Sequence, residues 1–149
     1  MSFATAPAAA HADLEGGCGG AASAARTFDF TGAAPEAARL AIAAALVDAT
    51  RATVILKGSG TIVASPDCEP LINTTGNPGM ATGGSGDCLT GIIASLAAQK
   101  YKPLDAARIG VFIHGRAGDL AGEQLGEMGM TAGDIVTYIP YALKVHTNN

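Results

Sequence analysis

From Pro35 onward the apolar positions follow first a helical period, then an extended one, then a helical one again. Ala37, Leu40, Ala41, Ala44, Ala45 and Val47 recur at helical spacing, and Leu40, Ala44 and Val47 form the stripe expected to be buried. Pro35 suits a first helical turn, and the alanine content favours a helix to about Asp48. Residues 53–56 are a continuous β-branched and apolar run, the pattern of an interior strand. Lys57-Gly58-Ser59-Gly60 reads as a tight turn, residues 61–64 as a second strand, Pro66-Asp67 as another turn and residues 69–73 as a further extended segment. Helical spacing returns at residues 87–99, where Leu89, Ile92, Ile93 and Leu96 make one apolar face. Lys102-Pro103 breaks the chain, and Ala106, Ile109, Ile113, Ala117 and Leu120 predict the next helix. Val111 and Phe112 fall off its stripe, so burial on more than one side is expected, with Gly110 and Gly115 permitting close packing. Residues 126–130 read as a loop. Thr131 is the expected cap of a last helix, with Asp134 in the capping-box position. Ile135, Val136, Tyr138, Ile139, Ala142 and Leu143 are that helix's apolar candidates, and Pro140 a bend. This order of elements is an α/β arrangement.

Outside that pattern lie two ends. Residues 1–32 are rich in Ala and Gly with little periodicity. They read as a poorly ordered or atypical lead-in, or as a loop belonging to a larger protein. Residues 145–149 read as a polar, frayed tail. The domain expected between them spans 33–144.

Apolar residues make up 48 % of the chain and aromatic residues 5 %, so the core is expected to be built from Ala, Leu, Ile and Val. The net charge of -4, with no cluster of Lys and Arg, argues against a nucleic-acid partner. It leaves nucleotides open, because one local site can hold an anion. No apolar stretch is long enough to span a bilayer, and no secretory signal is expected at the start. Cys18, Cys68 and Cys88 have neither metal-ligand spacing nor the pattern of a disulfide scaffold, which makes a reducing compartment the default. His11, His114 and His146 are too scattered to predict a metal cluster, and no protein metal site is expected.

The chemistry concentrates in residues 73–91. Gly83, Gly84 and Gly86 allow a ligand close to the backbone. A helix opening at Asp87 would present N–H groups without intrahelical partners, a site for a phosphate or carboxylate. Two readings of Asp87 follow: a helix cap, or an acid or base acting on whatever binds there. The pattern is neither a Walker A loop nor a Rossmann fingerprint. Lys57 is either a solvent-facing lysine or a cation near a bound phosphate. His114 is either a core histidine or a point where the helix meets a ligand. Cys88 reads as a small packing residue, with a nucleophile as the minor alternative.

The run Asn73-Thr74-Thr75-Gly76-Asn77-Pro78-Gly79-Met80-Ala81-Thr82-Gly83-Gly84-Ser85-Gly86-Asp87-Cys88-Leu89-Thr90-Gly91 closely resembles the signature of the ADP/ATP-dependent NAD(P)H-hydrate dehydratases. Residues 56–61, the stretch from His114 to Leu120 and the stretch from Thr131 to Ile135 resemble the neighbouring blocks, in the right order. The resemblance implies a ribokinase-like three-layer α/β/α fold, of which this chain matches the C-terminal part. It implies ADP or ATP with Mg²⁺ as cofactors and hydrated NADH or NADPH as the small-molecule substrate. Gly83, Gly84, Ser85 and Gly86 would form the phosphate-binding anion hole, Asp87 would be the catalytic base, and Lys57 would lie on the nucleotide side. Asn77, Gly79 and His114 would face the substrate. Neither a nucleic-acid nor a membrane partner is expected, and a cytoplasmic homo-oligomer is.

The family's upstream half, with its own glycine-rich loop and a Pro-His-Pro-Gly-Glu-like block, has no intact counterpart here. Pro35-Glu36-Ala37-Ala38-Arg39-Leu40 is a weak remnant without the His. Cys88 stands where Val or Ala is usual. A truncated sheet would expose an edge that favours association. Two alternatives stay open: a small-molecule kinase of the same superfamily, and a non-catalytic nucleotide-binding remnant.

Overall fold

The computed structural model describes residues 3–5, 25–29 and 35–144. They fall into two compact units, one within Ser2–Asn73 and one within Thr74–Asn149.

The first unit is a five-stranded sheet with a helix. Its strands are β1 (Phe3–Thr5), β2 (Ala25–Asp29), β3 (Thr53–Lys57), β4 (Ile62–Ser65) and β5 (Cys68–Asn73), in the order β1-β5-β4-β3-β2. The helix α1 (Glu36–Thr50) connects β2 to β3, which run parallel with Ala25 opposite Thr53. All other neighbours are antiparallel. Thr53 to Leu56 and Ile62 to Ser65 are buried without alternation, as expected of strands covered on both faces. Ala43, Val47, Val54, Leu56, Ile62, Ala64 and Ile72 form the core, with Leu40, Ile42 and Leu46 packed on it.

Several expectations are corrected here. Within α1 the buried stripe runs through Ala43 and Val47, while Ala44 is exposed. The reason is register: Ala43, Leu46 and Val47 share the face turned to the strands. Phe3–Thr5 and Ala25–Asp29 belong to the sheet, so the lead-in reading does not hold for them; the rest of 1–32 lies outside the described residues. Cys68 is disulfide-bonded, which the cysteine spacing did not predict, and Cys88 is free.

The hairpin turn between β3 and β4 has a grip that the sequence pattern did not reveal. The Arg39 guanidinium on α1 donates to the carbonyl oxygens of Ser59 and Gly60, the latter at 3.1 Å. Thr61 Oγ1 donates to Gly58 O at 3.1 Å within the same turn. Thr53 and Ser65, both buried, satisfy each other through their hydroxyls at 3.0 Å.

The second unit is helical: a 3-10 turn at Pro78–Met80, α2 (Ser85–Ala98), α3 (Pro103–Leu125), a second 3-10 turn at Glu127–Gly129, and α4 (Ala132–Lys144). In α3, Gly110 through Gly115 are buried without interruption, so this helix is enclosed on several sides as the sequence implied. Gly110 is the contact with α2: a Cβ there would lie 2.6 Å from Ile93 Cγ1. Gly115 has a different reason. Its Cβ would lie 2.1 Å from Thr75 Oγ1 and 2.8 Å from the Thr75 carbonyl, so it receives the loop before α2 rather than a helix. Along α4, Ile135 and Ala142 are buried, while Val136, Tyr141 and Leu143 are exposed. Pro140 sits inside the helix. No helix among the described residues is long and apolar enough to cross a membrane.

Candidate functional site

The signature loop is built on one face of α3. The Asp119 carboxylate accepts the Gly76 N–H at 3.1 and 3.0 Å. Asn77 Nδ2 donates to Gly118 O at 2.8 Å and lies 3.4 Å from Asp119 Oδ1. Asn77 Oδ1 in turn accepts from Gly79 N at 3.0 Å, capping the 3-10 turn. A Cβ on Gly79 would lie 2.6 Å from Glu127 O. The polar atoms of Asn77 are thus engaged in shaping the loop. Asp119 was not singled out as a site residue from the sequence. Its place five residues after His114 in the block His114-Gly115-Arg116-Ala117-Gly118-Asp119 was the available signal.

The loop ends at Gly84, whose φ of 87° lies in the left-handed region that glycine adopts at least cost. The turn it makes lets α2 begin at Ser85, two residues before the position expected from the apolar pattern. Asp87 is therefore the third helical residue, not the cap, and makes no capping bond. Its carboxylate is exposed and has no hydrogen bond or ion pair among the described residues. That removes the cap reading and leaves a carboxylate available to a ligand.

The backbone around it is uneven. Ser85 N–H donates to Thr82 O at 3.3 Å, and Cys88 N–H to Gly84 O at 3.1 Å. The N–H groups of Gly86 and Asp87, between them, have no acceptor among the described residues. Two unspent donors at a helix N-terminus favour an anion. Gly83 completes the opening: its φ is not positive, and a Cβ there would meet nothing within 4 Å. No packing among the described residues requires glycine at that position, which leaves the backbone there open to a ligand. Ser85 differs from its neighbours. It is buried, and its hydroxyl lies 3.4 Å from His114 Nε2, turned away from the opening. His114 Nε2 also lies 2.9 Å from Ser85 O. Cys88 packs toward α4, with Sγ 3.6 Å from Ala132 O.

Gly83, Gly84, Ser85, Gly86, Asp87 and His114 are therefore brought together, with Asn77 and Gly79 in the loop that leads to them. Lys57 ends β3 in the other unit. Among the described residues no three His, Cys, Asp or Glu side chains are grouped to hold a metal. One carboxylate beside two unspent N–H groups fits Mg²⁺ carried by a nucleotide, since Mg²⁺ takes one or two carboxylates, phosphate oxygens and water. A cleft of about 480 Å³ lies elsewhere, between α1 and the β4–β5 turn, and none of the signature residues line it.

A sequence model described as NAD(P)H-hydrate dehydratase matches residues 24–141, including the whole signature loop. The chain belongs to the NAD(P)H-hydrate dehydratase family. The bifunctional NAD(P)H-hydrate repair enzyme Nnr of Moorella thermoacetica is 50 % identical over 120 residues, covering 80 % of this chain and 23 % of that protein. The ADP-dependent (S)-NAD(P)H-hydrate dehydratase of Neisseria meningitidis is 46 % identical over 115 residues, covering 76 % and 39 %. Among solved structures, Bacillus subtilis YxkO superposes with a TM-score of 0.72 at 27 % identity, over 81 % of this chain and 48 % of that one. The Bacillus subtilis ADP/ATP-dependent NAD(P)H-hydrate dehydratase co-crystallized with ATP/Mg²⁺ superposes with a TM-score of 0.68 at 29 % identity, over 72 % and 39 %. The fold is the ribokinase-like α/β fold of these dehydratases. The chain spans less than half the length of these family members.

Proposed function

We propose that this chain carries the phosphate-binding loop and the catalytic carboxylate of an ADP- or ATP-dependent NAD(P)H-hydrate dehydratase. The observation that carries the reading is the start of α2, where the Asp87 carboxylate and the N–H groups of Gly86 and Asp87 stand side by side without a partner among the described residues. The names of the relatives, two of them ADP-dependent dehydratases, support the same chemistry.

The reaction that fits is removal of water from hydrated NADH or NADPH, driven by a nucleotide. Hydroxide is a poor leaving group and phosphate a good one. Asp87 takes the proton of the substrate hydroxyl as its oxygen bonds to the terminal phosphorus of ADP or ATP. The bond from that phosphorus to the nucleotide's bridging oxygen breaks, leaving AMP or ADP. Loss of inorganic phosphate together with an adjacent ring proton then restores the dihydronicotinamide. Gly86 and Asp87 N–H hold phosphate oxygens, and Gly83 and Gly84 leave room for them. Mg²⁺, when bound with the nucleotide, neutralises phosphate charge. Lys57 is proposed on the nucleotide side and Asn77, Gly79 and His114 on the substrate side, with Asn77 acting through the loop shape it maintains and the buried His114 through its bond to Ser85 O.

The test follows dihydronicotinamide absorbance when hydrated NADH, Mg²⁺ and ADP or ATP meet the purified chain. Recovery of the signal, lost in Asp87→Asn, supports the reading. A stable phosphorylated substrate would select the kinase alternative. Nucleotide binding without turnover would select the non-catalytic one.

Self-association into a homo-oligomer is part of the proposal, supported by β1 and β2 standing at the two edges of the sheet. A monomer by light scattering at assay concentration removes it. Cytoplasmic placement is supported by the need for ADP or ATP and opposed by the disulfide at Cys68. Thiol labelling of Cys68 in freshly lysed cells decides it.

A further inference from the structure

We infer that His114 is a positioning residue that sets the direction of the phosphate-binding N–H groups by holding the first residue of α2. The inference rests on the anion-site reading of that helix start. His114 is buried on α3, with Nε2 2.9 Å from the Ser85 carbonyl oxygen. A carbonyl oxygen can only accept, so Nε2 carries the proton. The same nitrogen lies 3.4 Å from Ser85 Oγ, too far to compete with the carbonyl and, being protonated, unable to act as a base toward it. A serine nucleophile activated by histidine is thereby excluded at this pair.

The arrangement has a mechanical consequence. Ser85 is the residue immediately before the two unspent N–H groups, so fixing its peptide unit fixes the plane from which they project. The other end of the loop is held by the same helix, where Asp119 accepts the Gly76 N–H. The two anchors are five residues apart, about 7.5 Å along the axis of a rigid helix. Residues 76–85 therefore hang from α3 at both ends. The donors are aimed before any ligand arrives, which is the condition for electrostatic stabilisation without reorganisation. The buried donor–acceptor pair also makes the anchor costly to lose, because each partner left alone in the interior is unsatisfied.

The test compares wild type with His114→Phe, which keeps the ring and removes the donor, and His114→Gln, whose amide nitrogen can reach the same carbonyl. Amide hydrogen exchange over residues 84–88 and affinity for Mg²⁺-ADP are read together. In the Phe variant, exchange accelerates and affinity falls, each by about tenfold, the size expected for one buried hydrogen bond. In the Gln variant both return to within about threefold of wild type. Exchange in residues 53–57, in the other unit, stays unchanged. Wild-type exchange and affinity in His114→Phe would overturn the inference, as would a Gln variant as damaged as Phe. Should the Phe variant not fold, nitrogen NMR of the wild-type imidazole decides: a protonated Nε2 supports the anchor, and a bare Nε2 removes it. If the wild type binds no Mg²⁺-ADP, the anion-site reading fails and takes the positioning role with it, while the exchange data still report whether His114 holds Ser85.

Discussion

Asp87 and the glycines around it show how residue type and local backbone divide the work of this loop. The Asp87 carboxylate is exposed and has no partner among the described residues, so its replacement should leave the fold alone. Asp87→Asn is expected to lower turnover by about a hundredfold or more, the contribution of a positioned base, with nucleotide affinity little changed. Steady-state kinetics beside a binding isotherm check both halves. Two glycines make a sharper comparison. Gly115→Ala puts a methyl 2.8 Å from Thr75 backbone atoms that cannot easily move. A loss of about 1–3 kcal/mol in a urea melt is expected from such overpacking. Gly83→Ala meets no protein atom, so the same melt should be unchanged. Its methyl instead enters the space assigned to phosphate, and Mg²⁺-ADP affinity should fall by about tenfold. If Gly83→Ala binds nucleotide like wild type, the phosphate does not lie against residue 83.

Among the elements, α4 depends most visibly on a local device. Thr131 N–H and hydroxyl both donate to Asp134 Oδ2, at 2.8 and 2.7 Å, and Asp134 N–H lies 3.4 Å from Thr131 Oγ1. This is a capping box with Asp in the usual Glu position. The Thr131 side-chain bond, with the backbone bond second, holds the Asp134 carboxyl below its ordinary value of 3.8. A depressed folded value means a contribution fully present above 3.8 that is lost as pH falls through the lowered folded value. Below that point α4 should fray first, and Asp134→Asn should remove this part of the acid sensitivity. Circular dichroism of both proteins across the acid range measures it; identical profiles would show that the box does not control α4. The consequence reaches the site, because Ala132 Cβ lies against Gly84, where a Cβ would be 3.2 Å away.

At the scale of the whole molecule, the described residues form a sheet unit and a helical unit, and the dehydratase signature from Thr74 onward belongs to the helical one. A ligand that binds only the folded chain raises its stability by mass action. Mg²⁺-ADP at about a hundred times its Kd should add about 2.7 kcal/mol, read as a rise in melting temperature that Gly83→Ala diminishes. An unchanged melting temperature would show that this length of the family's catalytic domain does not hold the nucleotide by itself.

Much of this was legible from residue order. The α/β alternation, the β3–β4 hairpin, the long α3 and the capping box of α4 follow from local periodicity and turn chemistry, which depend only on neighbours in the chain. The family was legible too, because the signature is one contiguous run of residues. Other features depend on packing between distant segments. The α1 stripe moved to Ala43 because register is set by the strands beneath. Strand β2 could not be seen, since five residues pair only where β3 supplies a ladder. The grip of Arg39 on the 59–60 turn and of His114 and Asp119 on the two ends of the signature loop are hydrogen bonds between residues 20 to 43 positions apart. Composition and spacing name the groups able to donate and accept at such distances. Which of them meet is set only when the helices and strands that carry them have packed.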